Sequence, residues 1–526
     1  MKLNKNFYLY ILSLVFGLSL TSCVKDLDIQ PIDPSVVQTF NQDEVFGKVY
    51  ASWALTGQQG PAGKNDIDID DEGRFSLTRS LWNCSQLPTD EAICAWSDIE
   101  VPALNKNNFT STNPSFKALY ARLYFVITIS NHFLDQTQSA ADDKTIKQRA
   151  EVRFIRALAY NYLMDFFGNV PFATEIKTEA PQQIKRAELF TWIESELKAI
   201  EPDMYDVKAA PYYRVDKAAN WLLLSRMYLN AAVYTGTARW ADAATYAKKV
   251  IDSKYKLATE YKYLFMADNA GSIDGSTIND APNEIIFPVA ADGVQTKSWG
   301  ASIFLINSTR TSGMLAWGTS GGWGGNRARA ALVKKFFPAN NAPTANDLTI
   351  AAADKRAMLS STDRTLYIND PGIFKEGFSV QKYSNVRADG KAPHSQEFPD
   401  TDIAFMRAGE AYLNYAEAVL RGATPAADMT ALKAVNALRT RASAKQLLAS
   451  ELNLNLLLDE WSREFFFEGR RRTDLIRFGV FTGSDYLWDW KGGVPSGTSI
   501  PAHLNLMPLP ADDLNANPNL KQNDKY

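Results

Sequence analysis

Segments with the 3.6-residue period of a packed helix recur in pairs along this chain, and that repetition constrains its fold more than any other feature. In residues 143–167, Phe154, Leu158 and Tyr162 form one stripe and Ile155, Ala159, Leu163 and Phe166 the next, so the helix is apolar over most of its surface and is predicted to be buried. Gly168-Asn169-Val170-Pro171 stops it, with glycine near the cap and proline beyond. A second pair covers about 215–252, where Ala218, Leu222, Ser225 and Leu229 keep helical spacing and Trp240, Ala244, Ala247 and Ile251 repeat it. A third runs from Ala404 to about Ala442, and a fourth contains residues 456–477. Helix pairs of this size in one chain resemble tetratricopeptide units. The expected fold class is therefore mainly α: four tetratricopeptide-like helix pairs form a scaffold, and large irregular loops with small extra elements carry the ligand site.

Two regions break the pattern, about 57–113 and about 262–400, the second rich in Gly, Ser, Asn and Asp with one helical stretch near 327–337. Loops of that length set on a rigid scaffold are where binding sites usually sit. The folded part is expected to be a single domain over 39–526, preceded by a polar, proline-interrupted tether at 23–38. Before the tether, Lys2 and Lys5 precede an apolar stretch from Phe7 to Leu20 that ends in Leu20-Thr21-Ser22-Cys23. This reads as a lipoprotein signal over residues 1–22, with Cys23 the acylated first residue of the mature chain. Beyond Cys23 no run of about 18 apolar residues follows, so the chain reads as anchored to a membrane and not spanning it.

Loss of Lys2 and Lys5 takes the formal net charge from −3 to about −5, with no basic block, which argues against nucleic acid and suits a neutral ligand. His132, His394 and His503 are the only histidines and lack ligand spacing, so no metal site and no cofactor are expected. Cys84 and Cys94 leave two readings open, a disulfide or two buried small side chains. The acidic run Asp66, Asp68, Asp70, Asp71 and Glu72 starts like a calcium loop, but its sixth position is Asp71 instead of Gly and its twelfth is Leu77 instead of Glu. It reads as a solvated loop with Ile67 and Ile69 turned inward.

Four segments, in order, are similar to the SusD/RagB family of surface glycan-binding lipoproteins. They are Glu151 to Pro171; Leu224-Ser225-Arg226-Met227-Tyr228-Leu229 with Trp240-Ala241-Asp242-Ala243; Arg407-Ala408-Gly409-Glu410 through Ala418; and Glu460-Trp461-Ser462-Arg463-Glu464 with Phe467-Glu468-Gly469-Arg470-Arg471-Arg472-Thr473-Asp474 through Gly479. The chain closes with Met507-Pro508-Leu509-Pro510 and Asn517 to Asn523, again resembling the family's ending. Glu410, Glu417, Glu464, Glu468, Arg470 and Asp474 lie in segments dense with arginine and are expected to pair there and fix helix packing.

The resemblance implies a non-catalytic receptor on the outer surface of the outer membrane. It would bind oligosaccharide and pass it to a partner SusC-like TonB-dependent transporter. Peptide or glycopeptide cargo on the same fold is the alternative, and a surface glycoside hydrolase with paired carboxylates is a second. A sugar site needs exposed aromatic platforms with a few polar neighbours. The irregular regions offer Trp82, Asp90 and Trp96 in the first, and Trp299, Trp317, Trp323 and Arg327 in the second.

Overall fold

The computed structural model describes residues 40–69, 73–271, 274–275 and 278–526. The leader, Cys23, the tether, and Asp70, Asp71 and Glu72 of the acidic run lie outside them. Asp43–Tyr526 is one compact unit. Its architecture is mainly helical, with four short two-stranded antiparallel sheets. Among the described residues no helix is long and apolar enough to cross a membrane.

The buried helix predicted over 143–167 spans Asp143–Phe167. The Asp142 side chain caps its first turn by accepting from the Thr145 N–H at 3.0 Å, and Gly168, at φ +74°, ends it. It packs on Pro114–Gln136 before it and Arg186–Ile200 after it. The second pair forms Lys217–Leu229 and Trp240–Asp252, which lie against each other. Trp240–Asp252 also packs on Ala408–Leu420, which in turn packs on Ala431–Arg441, so the second and third pairs are contiguous in space although a long insertion separates them in sequence.

The third pair starts later than the periodicity suggests. Ile403–Arg407 is a strand paired with Ile285–Val289, and the helix begins only at Ala408, whose N–H donates to the Glu284 carbonyl at 2.9 Å. A partner strand from the insertion decides this segment, which no local pattern could announce. The fourth segment breaks into Leu454–Phe465 and Arg471–Arg477, because Phe467 at φ +62° and Gly469 at φ +75° turn the chain between them.

The charged motif residues knit these helices together as expected. Arg407 has no exposed surface and donates from Nη1 to Glu284 and Glu464, both at 2.8 Å, and from Nε to Glu468 at 2.8 Å. Arg441 bonds Glu284 at 2.8 Å and also Glu464, while Arg356 joins Glu460 at 2.7 Å. Arg226 holds both oxygens of Glu410 at 2.7 Å, Arg477 grips Glu417 at 2.8 and 2.9 Å, and Arg470 meets Asp474 at 3.1 Å. Burial alone would favour a neutral Glu464. The guanidinium groups of Arg441, Arg407 and Arg356 outweigh it and hold that carboxyl well below the usual range.

Asp402, just before the strand, shows the opposite balance. Its carboxylate is buried and accepts from the Ala291 N–H at 2.8 Å, and burial, with Asp292 and Asp400 nearby, raises it well above the ordinary carboxyl range. Stability from such a group is complete below the unfolded value of about 3.9 and is lost as pH rises through the folded value. Asp402→Asn is expected to lose less stability than the parent between pH 4.5 and pH 8, read as the shift in urea midpoint across that range; equal shifts would contradict it.

Cys84 and Cys94 are both buried free thiols, so the disulfide reading is excluded. Burial pushes Cys94 up to about 12 and Cys84 above its usual range as well. In the acidic run, Asp66 pairs with Lys48, and Ile67 and Ile69 are half-buried.

Candidate ligand-binding site

The two irregular regions meet in a short ribbon. Ala92–Cys94 pairs antiparallel with Asn326–Ala328, with Ala92 opposite Ala328 and Cys94 opposite Asn326. Asn105 clamps the ribbon from one side, accepting from the Cys94 N–H at 3.1 Å and donating to its carbonyl at 2.8 Å. At the ribbon's open end the Ala95 N–H donates to the Gly325 carbonyl at 3.0 Å, and Trp96 and Trp323 emerge side by side. The Trp96 Nε1–H donates to the Trp323 carbonyl at 3.2 Å. Gly325 is required there, since a Cβ at that position would overlap the Trp96 indole.

Trp299 completes a row of three rings. Trp96 and Trp323 have centroids 6.5 Å apart with planes turned by 48°, and Trp323 and Trp299 are 6.4 Å apart with planes turned by 50°. Phe398, largely buried, backs Trp299 at 4.4 Å. The loop carrying Trp299 is fixed to the Leu77–Gln86 helix by the Ser76 hydroxyl. That group donates to the Gly300 carbonyl at 2.9 Å and accepts from the Arg79 N–H, capping the helix. The same helix places the Arg79 guanidinium 4.9 Å from the Trp96 ring and 4.9 Å from Phe304. The three tryptophans, Arg79, Arg74 and Asp98 line an open concavity of about 480 Å³. Arg74 donates to Glu100 at 2.8 Å and stands 3.5 Å from Asp98, whose carboxylate remains partly exposed.

Of the tryptophans expected at the site, Trp96, Trp299 and Trp323 are thus brought together. Trp82, Asp90 and Arg327 are corrected by their burial. Trp82 is buried, with Nε1–H donating to the Phe467 carbonyl at 2.9 Å and its ring edge-on to Phe304 and Phe467. Asp90 has no exposed surface. It takes Arg471 at 2.7 and 2.8 Å, Lys335 at 2.9 Å and the Tyr486 hydroxyl at 2.7 Å, and although burial opposes ionisation these cations keep it far below the usual carboxyl range. Arg327 is buried inside the ribbon and bonds the carbonyls of Glu376 and Pro371 at 2.5 and 2.6 Å. Trp317 lies outside the concavity, half-buried as a loop anchor, its Nε1–H donating to Asn307 at 3.3 Å.

Arg79 and Arg74 are the residues that sequence reading passes over. Asp98 had a visible signal, since in extended chain it falls on the same side as Trp96, two residues earlier. Arg79 did not, because it falls opposite the apolar stripe of Leu77, Leu81 and Cys84 and so reads as solvent-facing, whereas the helix is buried on every side.

Aromatic faces turned around a hollow, with a guanidinium and a carboxylate at their edges, suit a ligand that alternates apolar C–H faces with hydroxyl rims. Comparison with known proteins agrees in kind. A model described as the SusD family matches residues 365–526, and one described as starch-binding associating with outer membrane matches residues 75–229. Starch-binding protein SusD of Bacteroides thetaiotaomicron is 42% identical over an alignment of 560 positions that covers 100% of this chain and 99% of that protein. SusD-like protein P25 of Formosa agariphila is 24% identical over 79% of each chain. Among solved structures, surface glycan-binding protein A from Bacteroides fluxus aligns with TM-score 0.67 at 20% identity, covering 92% of this chain and 99% of that one. The Bacteroides thetaiotaomicron surface glycan-binding protein A in complex with laminarihexaose aligns with TM-score 0.67 at 18% identity, covering 92% and 98%. With full-length identity at that level and two family matches behind it, this chain belongs to the SusD family.

Proposed function

We propose that this protein is a non-catalytic glycan receptor of the outer membrane, and that its ligand is an α-glucan of the starch type. The observation that carries the reading is the three-tryptophan concavity. Rings about 6.5 Å apart and turned by about 50° from one to the next follow a chain that curves, as an α-1,4-glucan does, better than the flat ribbon of a β-1,4-glucan. Identity of 42% to a starch-binding protein over the whole chain supports the same ligand class. Binding without hydrolysis is supported by the lining, where Asp98 is the only carboxylate among the described residues, whereas a glycosidase places two across the scissile bond.

Attachment through a lipidated Cys23 belongs to this reading, supported by the apolar stretch that precedes that residue, and the family description that names the outer membrane supports the location. Capture would be followed by transfer to a partner TonB-dependent transporter. Affinity electrophoresis of the lipid-free protein through gels containing amylopectin, laminarin or hydroxyethyl cellulose tests the ligand class. Retardation by amylopectin with no release of reducing sugar is expected. Indifference to all three polysaccharides would instead favour peptide cargo.

A further inference from the structure

Just after the Asn326–Ala328 strand, a second cleft, also of about 480 Å³, lies between the Ala330–Phe336 helix and the loop 486–496. We infer that it is a second saccharide-binding subsite, in which Tyr367 is the stacking platform and Lys334, Asp459, Asp489 and Ser496 meet hydroxyl groups. The inference rests on the glycan-binding reading above and extends it to a place that the tryptophan row does not reach.

Tyr367 is 52% exposed, and Leu487, which lines the same cleft, is exposed as well. The Lys334 ammonium lies over the Tyr367 ring, 5.2 Å from its centre, which leaves the opposite face for stacking. Asp489 lines the same cleft, paired with Arg329 at 3.6 Å. Positive Lys334 and negative Asp459 balance one another across the rim, which suits a neutral polyhydroxylated ligand better than an ion.

The cleft is also held in shape. Trp490 sits at φ +66°, a left-handed conformation costly for a bulky residue, and its Nε1–H donates to the carbonyl of Ile368 at 2.9 Å, next to the platform. Lys491 fastens the loop by donating to the carbonyls of Gly483 at 3.0 Å and Tyr486 at 2.7 Å. Buried Trp488 forms the floor. Strain maintained by several bonds around an exposed aromatic ring is what a pre-organised binding surface requires.

The ribbon sets the spacing. The tryptophan row leaves it at Gly325, and the helix that walls the cleft begins at Ala330, a separation of roughly 15–20 Å along extended chain. A glucan long enough to bridge the two places would make the second contact intramolecular.

The test compares maltoheptaose with amylopectin for the whole mature protein. Tyr367→Ala, at an exposed position where truncation leaves the core intact, is expected to keep maltoheptaose affinity by calorimetry and to weaken retention by amylopectin gels roughly tenfold or more. Trp96→Ala/Trp323→Ala is expected to abolish maltoheptaose binding but to leave weak retardation by amylopectin, which disappears when Tyr367→Ala is added. Unchanged amylopectin retention in Tyr367→Ala, with retention abolished by the tryptophan pair alone, would overturn the second subsite and leave the first intact. A parent protein that binds neither glucan would remove the glycan reading itself, and this subsite with it.

Discussion

Trp323→Ala is expected to weaken α-glucan binding by about 30-fold or more while leaving the melting temperature nearly unchanged. Its ring stands between Trp96 and Trp299, 6.5 and 6.4 Å from their centres, so its loss interrupts the row in the middle. Truncating an aromatic anchor at the centre of a binding surface commonly costs about 2 kcal/mol or more. Fold should survive because the contact that orients Trp96 is made to the Trp323 main-chain carbonyl, which alanine retains. Calorimetric titration with maltoheptaose, beside a thermal melt, reads both quantities. Affinity within a few-fold of the parent would mean that the ligand does not stack on this ring.

The largest effect on stability is expected at Arg407. Three carboxylates, Glu284, Glu464 and Glu468, converge on this buried guanidinium from the insertion and from the fourth helical segment. Removing one partner of a buried ion network typically costs about 3–5 kcal/mol, since the remaining charges are left uncompensated. Arg407→Leu should therefore lower the urea midpoint sharply or prevent folding. The deficit should also depend on pH. The folded pKa of Glu464 is depressed, so its contribution is present above the unfolded carboxyl value of about 4.3 and is lost as pH falls toward the folded one. The gap between parent and variant should accordingly narrow below about pH 4. A variant as stable as the parent at pH 7 would show that the network is dispensable.

Much of the scaffold was legible because its helices advertise themselves locally. The stripes of 143–167 and the Gly168 stop placed that helix within its observed bounds, and the arginine-rich signature motifs announced ion pairs that the structure contains. Strand Ile403–Arg407 was not legible, since its partner Ile285–Val289 lies far away in sequence. The site divided in the same way. Trp96, Trp299 and Trp323 stood out because glycine and polar neighbours left their rings no obvious core to join. Asp90 looked like one of their polar neighbours until Arg471, from the far end of the chain, was found to bury it. Trp82 belongs to a ten-residue helix buried on all sides, where the spacing of Leu77 and Leu81 was the quieter hint of core. Arg79 joins the site only because the ribbon of Ala92–Cys94 with Asn326–Ala328 brings Trp96 over it.

The tryptophan concavity is expected to select a curved α-glucan and to bind it without cleaving it. Titrating the lipid-free protein with maltoheptaose and with cellohexaose, followed by analysis of the recovered sugar, tests that claim most directly. Saturable binding of intact maltoheptaose, little response to cellohexaose, and loss of the maltoheptaose signal in a folded Trp96→Ala/Trp323→Ala variant are the predicted result. Equal affinity for the two sugars, maltoheptaose binding that survives the double substitution, or shortened maltoheptaose after incubation would contradict it.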